Sequence, residues 1–379
     1  MPGPPGLDGV MTECRIPSRK SDGVPSLKET TAPATMAGGE RPISRRAMLV
    51  AGGSTVVAAV GGGVALGRSE QRGPEPTGAV GLFDVDKASE LLPPTSLHDG
   101  TGPQSIAFDG GQLYALQVMQ GGIRLPDEKR RLSGRARRLA GDMCVTAFSR
   151  SGAAAQHMYL RGFGHGISMG VEPSEYGALL WVESQADRQT GYGRAVTRIP
   201  FRHGTVLDSS SPSVRHHRPL PDSHRIHPAV DVAAKRLLVS HWTNREHHYT
   251  IHCLDDFLAG SYQPLFHVED TALRSGETLQ GCALNGNHIY QLTGTPYTDD
   301  EGHNPPSSGG NTYVSAIDIR SGKTTGRRKL SMAPRLSFRE PEGLAIRLGA
   351  DLELCVAFSV KSPGRRKLAV YACQSGQWS

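Results

Sequence analysis

Five polar residues, Gln104, His165, His227, Gln280 and Glu342, each open a short run of small and apolar side chains, at intervals of 61, 62, 53 and 62 residues. If the intervals mark a structural repeat, these five side chains occupy equivalent places and form a ring. Two amides, two imidazoles and a carboxylate suit sugar hydroxyls or phosphate better than an apolar ligand, because they supply both donors and acceptors. Arg339 and Glu340 lie just before the fifth member, and a guanidinium there can take a phosphate through two parallel hydrogen bonds. Carboxylates such as Glu183 with Glu340 or Glu342 could instead cleave a glycosidic or phosphodiester link by acid–base chemistry, given the right separation.

Other chemistries have less support. His165, His227 and Glu342 could in principle meet at a metal, with His224, His241, His247 and His248 nearby. No His-x-x-x-His or His-x-Glu spacing pre-arranges them, and no metal or other cofactor is assigned. The run Asp299-Asp300-Glu301 lacks the alternation and glycine of a calcium loop and reads as a solvated tip. No Gly-x-Ser-x-Gly elbow is present, and Gly-His-Gly alone fixes no triad. The segment Gln120–Gly141 carries Arg124, Lys129, Arg130, Arg131, Arg135, Arg137 and Arg138 against Asp127 and Glu128. Such a loop attracts an anionic polymer, with Arg130 and Arg131 as candidate contacts, or is simply a solvated basic tip.

The elements that must position these groups repeat with them. After each opening come a tight turn and a second apolar run, near residues 113–118, 178–183, 236–241, 288–293 and 352–359. A third run follows near 144–149, 194–201, 248–254, 312–319 and 367–373, and the turns Arg150-Ser-Gly, Arg202-His-Gly and Arg320-Ser-Gly lead to a weaker fourth. Runs of this length, rich in Val, Ile, Leu and Tyr and punctuated by Gly and Asp, are strands. Five units of four antiparallel strands predict an all-β, five-bladed β-propeller over residues 78–379. The last unit has only three strands before the chain ends, while Gly81–Val85 is an orphan strand; pairing the two closes the ring. The loops between second and third strands then share one face and are the long ones: 119–142, 185–193, 243–247, 294–311 and 361–366. Tyr192 and Tyr297, on these loops, could stack on sugars, whereas Trp181 and Trp242 lie within second strands and read as core.

Composition agrees. The chain has 379 residues, 46 Gly and 26 Pro, 37% hydrophobic side chains and a formal charge of +6. These values exclude a multi-span membrane protein, a coiled coil and a disulfide mini-scaffold, and the modest basic excess does not call for nucleic acid. Residues 1–35 read as disordered, or as an over-extended start, since Met11 and Met36 could each serve as initiator. Residues 36–67 read as a twin-arginine export signal: Ser44-Arg45-Arg46-Ala47-Met48-Leu49 precedes a weakly hydrophobic Ala/Gly/Val stretch ending in small residues. That stretch is too weakly apolar for a stable membrane span, so the protein is expected to engage the twin-arginine translocase and to end up secreted or at the cell surface. Beyond Cys14, five cysteines at 144, 253, 282, 355 and 373 show no CxxC spacing and read as buried structural thiols.

Several stretches are similar to the five-bladed propeller family named after teichoic acid biosynthesis protein C, which includes phage receptor-binding proteins. They are Gly162-Phe-Gly-His-Gly-Ile-Ser-Met-Gly-Val-Glu172, Gly310-Asn-Thr-Tyr-Val314, Phe338-Arg-Glu-Pro-Glu-Gly-Leu-Ala-Ile346, and Gly141-Asp-Met-Cys-Val145 with Tyr159-Leu160. The resemblance spans roughly residues 80–373. It implies a surface-exposed propeller associated with cell-wall glycopolymers and does not imply a reaction. Residues and resemblance together lead to a non-catalytic module that binds an anionic, teichoic-acid-like glycopolymer through its long-loop face. The alternative is an extracytoplasmic hydrolase with its site at the channel mouth. A protein-interaction platform fits a polar, basic face less well.

Overall fold

The computed structural model describes residues 79–149, 151–298, 302–349 and 351–376. The expected leader at 1–67, Cys14, Arg150 and the acidic run 299–301 lie outside the described residues.

The described residues form a five-bladed β-propeller. Blade 5 takes its outer edge from the first described residues, with β1 (Ala79–Val80) and β2 (Phe83–Ser96). Blade 1 follows with β3 (Pro103–Asp109), β4 (Gln112–Val118), helix α1 (Gly134–Ala140), β5 (Met143–Phe148) and β6 (Ala154–Arg161). Blade 2 holds β7 (Gly170–Ser174), β8 (Gly177–Ala186) and β9 (Gly193–Pro200), followed by β10 (Val206–Asp208). Blade 3 is β11 (His224–Asp231), β12 (Arg236–Thr243), β13 (Glu246–Cys253), helix α2 (Leu254–Ala259) and β14 (Phe266–Glu269). Blade 4 is β15 (Leu279–Asn285), β16 (His288–Thr293), β17 (Tyr313–Asp318) and β18 (Thr324–Lys329). The chain finishes blade 5 with β19 (Glu340–Leu348), β20 (Leu352–Ser362) and β21 (Arg365–Ser375).

The innermost strands β3, β7, β11, β15 and β19 touch in sequence and close the ring. The core is a set of five wedges, one between each pair of neighbouring blades. Leu116, Val145, Leu180 and Val182 fill the wedge between blades 1 and 2. Trp181, Val196, Leu237 and Phe257 fill the next, and Leu238, Ile251, Ile289 and Ile317 the third. Tyr290, Leu292, Leu354 and Phe358 lie between blades 4 and 5, and Ile106, Ala115, Cys355 and Val370 between blades 5 and 1. Period-two alternation makes this possible, since each strand sends successive side chains into opposite wedges.

The N-terminal strand closes the last blade as expected, by antiparallel pairing of β2 with β21. It is longer than the orphan strand suggested, because register shifts at 83/88, 90/92 and 92/95 let it continue past Pro93 and Pro94. On the outer edge those prolines withhold no ladder bond that a neighbour needs. The shifts also let one strand serve two wedges: Phe83 and Val85 pack toward blade 4, while Leu92, and Leu97 just past the strand's end, pack toward blade 1. Phe83 meets Tyr290 edge-on at 5.1 Å, and the Tyr290 hydroxyl accepts from the Leu82 amide at 3.2 Å.

Blade 2 departs from the four-strand pattern. The segment after Arg202-His-Gly pairs in parallel with β6 of blade 1, Val206 opposite Tyr159 and Asp208 opposite Arg161. Among the described residues the outer edge of blade 2 has a single bridge, Val196 to His217. The Ser209–Ser213 stretch, with Pro212 within it and Pro219 beyond it, offers little ladder, whereas the exposed edge of β6 offers partners, and an Arg161–Asp208 ion pair at 2.9 Å holds the strand there.

The cysteines at 144, 253, 282, 355 and 373 are free and buried. Burial pushes the Cys282 and Cys373 thiols up to about 12 and raises those of Cys144 and Cys355 as well.

Because Phe83 is fully buried at the closing seam, Phe83→Ala is expected to lower the unfolding free energy by about 3–5 kcal/mol. Denaturant titration checks this; an unchanged midpoint would show that the seam does not hold the ring.

Candidate functional site

On the long-loop face a cleft of about 870 Å³ opens at the channel mouth. Its floor comes from the starts of the inner strands, and β-bulges there decide which side chain faces inward. Register shifts fall between Pro103 and Ser105, between His224 and His227, between Leu279 and Gly281, and between Pro341 and Leu344. A bulge re-aims the residues it skips, and those lining the cleft are Gln104, Arg225, Gln280 and Glu342. Blade 3 therefore differs from the reading by sequence. His227 pairs in the ladder with Ser240 and is fully buried, while Arg225, with φ of 53°, takes the mouth position.

Blade 2 reaches the cleft by another route, because β7 starts only at Gly170 and His165 lies on the loop before it. The fully buried carboxylate of Glu183 accepts hydrogen bonds from the backbone amides of His165 (2.7 Å), Gly166 and Gly193. His227 Nδ1 lies 3.6 Å from the same carboxylate. Burial opposes this charge, but His227 and the amides outweigh it and hold the carboxyl below its usual range. A side chain at Gly164 would collide with Glu183, its Cβ falling 2.1 Å from Cδ, so that glycine permits the close approach. Glu183 therefore holds up the His165 loop; it does not line the cleft and forms no catalytic pair with Glu340 or Glu342.

One wall is a strip of rings and guanidinium. The His165 and Tyr192 rings lie 4.7 Å apart, and Arg225 sits 4.8 Å over Tyr192 and 6.0 Å from Trp242. Burial pushes the His165 imidazole down to about 4, so it is neutral at pH 7. Trp181 is core as expected, whereas Trp242 is half-buried and faces the cleft. The opposite side carries Glu340, Glu342 and Arg366, the last with its guanidinium 3.5 Å over Phe338. Gln104 Nε2 donates to Glu342 Oε1 at 3.2 Å, and the two glutamate side chains hydrogen-bond to each other. Burial, reinforced by Glu340, pushes the Glu342 carboxyl well above the usual carboxylate range, and burial raises Glu340 too. Gln280 Nε2 donates to the Gly294 carbonyl at 3.0 Å.

Two further expectations are corrected. Arg339 is 1% exposed, and its guanidinium is used up on the carbonyls of Leu330 and Met332 and on Thr312 Oγ1, so it cannot grip a phosphate. Tyr297 is buried beneath that arginine, 5.3 Å from it, and offers no stacking face. Arg130 and Arg131 are exposed but do not line the cleft, and Arg131 donates to the Gly122 carbonyl at 3.0 Å. From the basic loop it is Arg138, on α1, that reaches the cleft, while Arg137 turns inward to pair with Glu128 and with Asp142 at 2.9 Å. Arg225, Trp242 and Arg366 were not legible as site residues, and nothing singled out Arg138 within its basic loop, because their placement depends on a helix cap, a bulge and strand ends. Among the described residues no three His, Cys, Asp or Glu side chains are placed to hold a metal, and no helix is long and apolar enough to cross a membrane.

A five-bladed propeller with a polar cleft at the mouth of its channel is the class of protein these features define. The chain belongs to the family described as the phage 5-bladed beta propeller receptor binding platform domain, whose signature matches residues 104–372. It is 26% identical over 311 residues to a Bacillus subtilis (strain 168) protein named "Putative major teichoic acid biosynthesis protein C", covering 78% of this chain and 64% of that one. Its fold is similar to the tail fiber of Staphylococcus aureus phage P68, with a TM-score of 0.57 and 16% identity, over 77% of this chain and 53% of the fiber. The chain thus spans less than two thirds of the length of either relative.

The carboxyl pair carries a pH signature. With folded-state values raised, the folded protein keeps protons that the unfolded chain has released, so stability falls as pH rises from the ordinary carboxylate range through the folded-state value. Glu342→Gln is expected to raise the melting temperature at pH 7 to 8, with the gain vanishing below about pH 4. A gain of equal size at every pH would rule out titration of the pair as its cause.

Proposed function

We propose that the protein is exported and binds an anionic cell-wall glycopolymer, teichoic-acid-like in chemistry, in the cleft at the channel mouth. The observation that carries this reading is the His165–Tyr192–Arg225–Trp242 strip sharing the lining of one cleft with Arg138 and Arg366. Aromatic faces suit the carbon faces of sugars or polyols, guanidiniums suit phosphate, and Gln104, Gln280 and the carboxyl pair suit hydroxyls. The receptor-binding family and the name of the Bacillus relative support the same ligand class.

Binding to purified wall teichoic acid is expected to weaken as salt rises, since the attraction is screened. Tyr192→Ala is expected to weaken it by about tenfold, the equivalent of 1.4 kcal/mol, and Arg225→Ala to weaken it and flatten its salt dependence. No detectable binding at low salt would sink the assignment, and polymer fragments released over time would move it to a hydrolase.

Export rests on residues 36–67, ahead of a propeller domain at 78–379. Arg45→Lys combined with Arg46→Lys is expected to trap the precursor inside the cell, read by fractionation. Unchanged export would exclude the twin-arginine route.

A further inference from the structure

A second charged depression lies outside the channel, at the seam of blades 1 and 2. It has a volume of about 690 Å³ and runs into a shallower one of about 490 Å³, the two sharing Gln185, Ala186 and Arg188. Helix α1 is the wall between this groove and the channel cleft. Gly134 and Arg138, one turn apart, face the cleft, while Leu139 and Ala140 face the groove. Ser133 caps the helix start and Gly141, at φ of 72°, ends it. The buried Arg137 ties it down from beneath, so the wall is fixed in place.

The groove's charges come to a net of one cation, with five guanidiniums against four carboxylates: Glu128 and Asp142 share Arg137, Asp208 pairs with Arg161 and Asp187 with Arg194, and Arg188 and Arg218 make up the five. Arg188 and Arg218 are exposed and have no carboxylate partner among the described residues. Arg218 donates only its Nε, to Gln185 Oε1 at 2.6 Å, which orients the guanidinium and leaves its terminal nitrogens available. Beside them lie the apolar side chains of Leu132 and Leu139 and the hydroxyl of Ser209, while the Ser210 hydroxyl is spent on Asp208 Oδ1 at 2.6 Å. Free guanidiniums, a short apolar wall and a hydroxyl are the complement of a polyol phosphate chain, which has anionic links, carbon faces and hydroxyls in repetition.

We infer that this groove is a second binding site for the same anionic chain, so that one polymer lies in the channel cleft, crosses α1 and continues over blades 1 and 2. The inference rests on the glycopolymer reading of the cleft. Crossing a helix about 10 Å across demands several repeats, so a short oligomer fills one site and a long one fills both, with the second contact made at high effective concentration.

The test uses synthetic glycerol phosphate oligomers, a dimer and a dodecamer, titrated into the full protein and into the double variant Arg188→Glu, Arg218→Glu. The dodecamer is expected to bind the natural protein at least about tenfold more tightly than the dimer. The double variant is expected to lose most of that advantage while binding the dimer unchanged, and its melting temperature is expected to hold because both residues are exposed. Equal affinity for the two lengths, or a length advantage that survives the charge reversal, overturns the second site while leaving the cleft reading intact. Failure of both oligomers to bind the natural protein overturns the cleft reading, and the second site with it.

Discussion

Ring closure is the constraint on which everything else in this molecule rests. No blade has a core of its own; each sheet is stable only because both faces are packed into wedges shared with its neighbours. A gap at one seam would expose two apolar faces at once, so the last seam to close has consequences for the whole ring. The closing strand β2 meets this demand by changing register along its length, sending Phe83 and Val85 one way and Leu92 the other. Contacts between residues more than 250 positions apart complete blade 5, and such non-local pairing is slow to form.

The cleft inherits its precision from that ring, but its chemistry comes from local exceptions to regular structure. Bulges at the starts of four inner strands turn one side chain each toward the channel. The fifth position is built around a buried carboxylate: Glu183 gathers three backbone amides and thereby shapes the loop that presents His165. Burying such a charge is costly unless it is fully hydrogen-bonded, and here it is. The same division separates Arg339 from Arg366. The first is spent on carbonyls inside blade 5, and the second, lying over Phe338, faces the open cleft.

Much of this was readable in the chain because strand spacing and turn residues are local signals. The five second strands and five third strands fall where alternating apolar runs place them, and the orphan strand at Gly81–Val85 found its partner by counting edges. What was not readable depended on register. His227 and Arg225 are two residues apart, and only the position of a bulge against β12 decides which faces the ligand side. Tyr297 looked like a loop aromatic, and its burial follows from the path of the 294–311 loop over Arg339. The parallel addition of β10 to blade 1 likewise reflects a competition between two sheet edges that no single stretch of sequence announces.

The buried free thiols have a consequence of their own. With Cys144, Cys282, Cys355 and Cys373 held as neutral, solvent-shielded groups, no covalent cross-link joins the described residues, and the thiolate that oxidation requires is suppressed at these four. The ring they sit in depends on the edge-to-edge closure of β2 on β21, and none of the described cysteines has to change its chemical state for that closure to form.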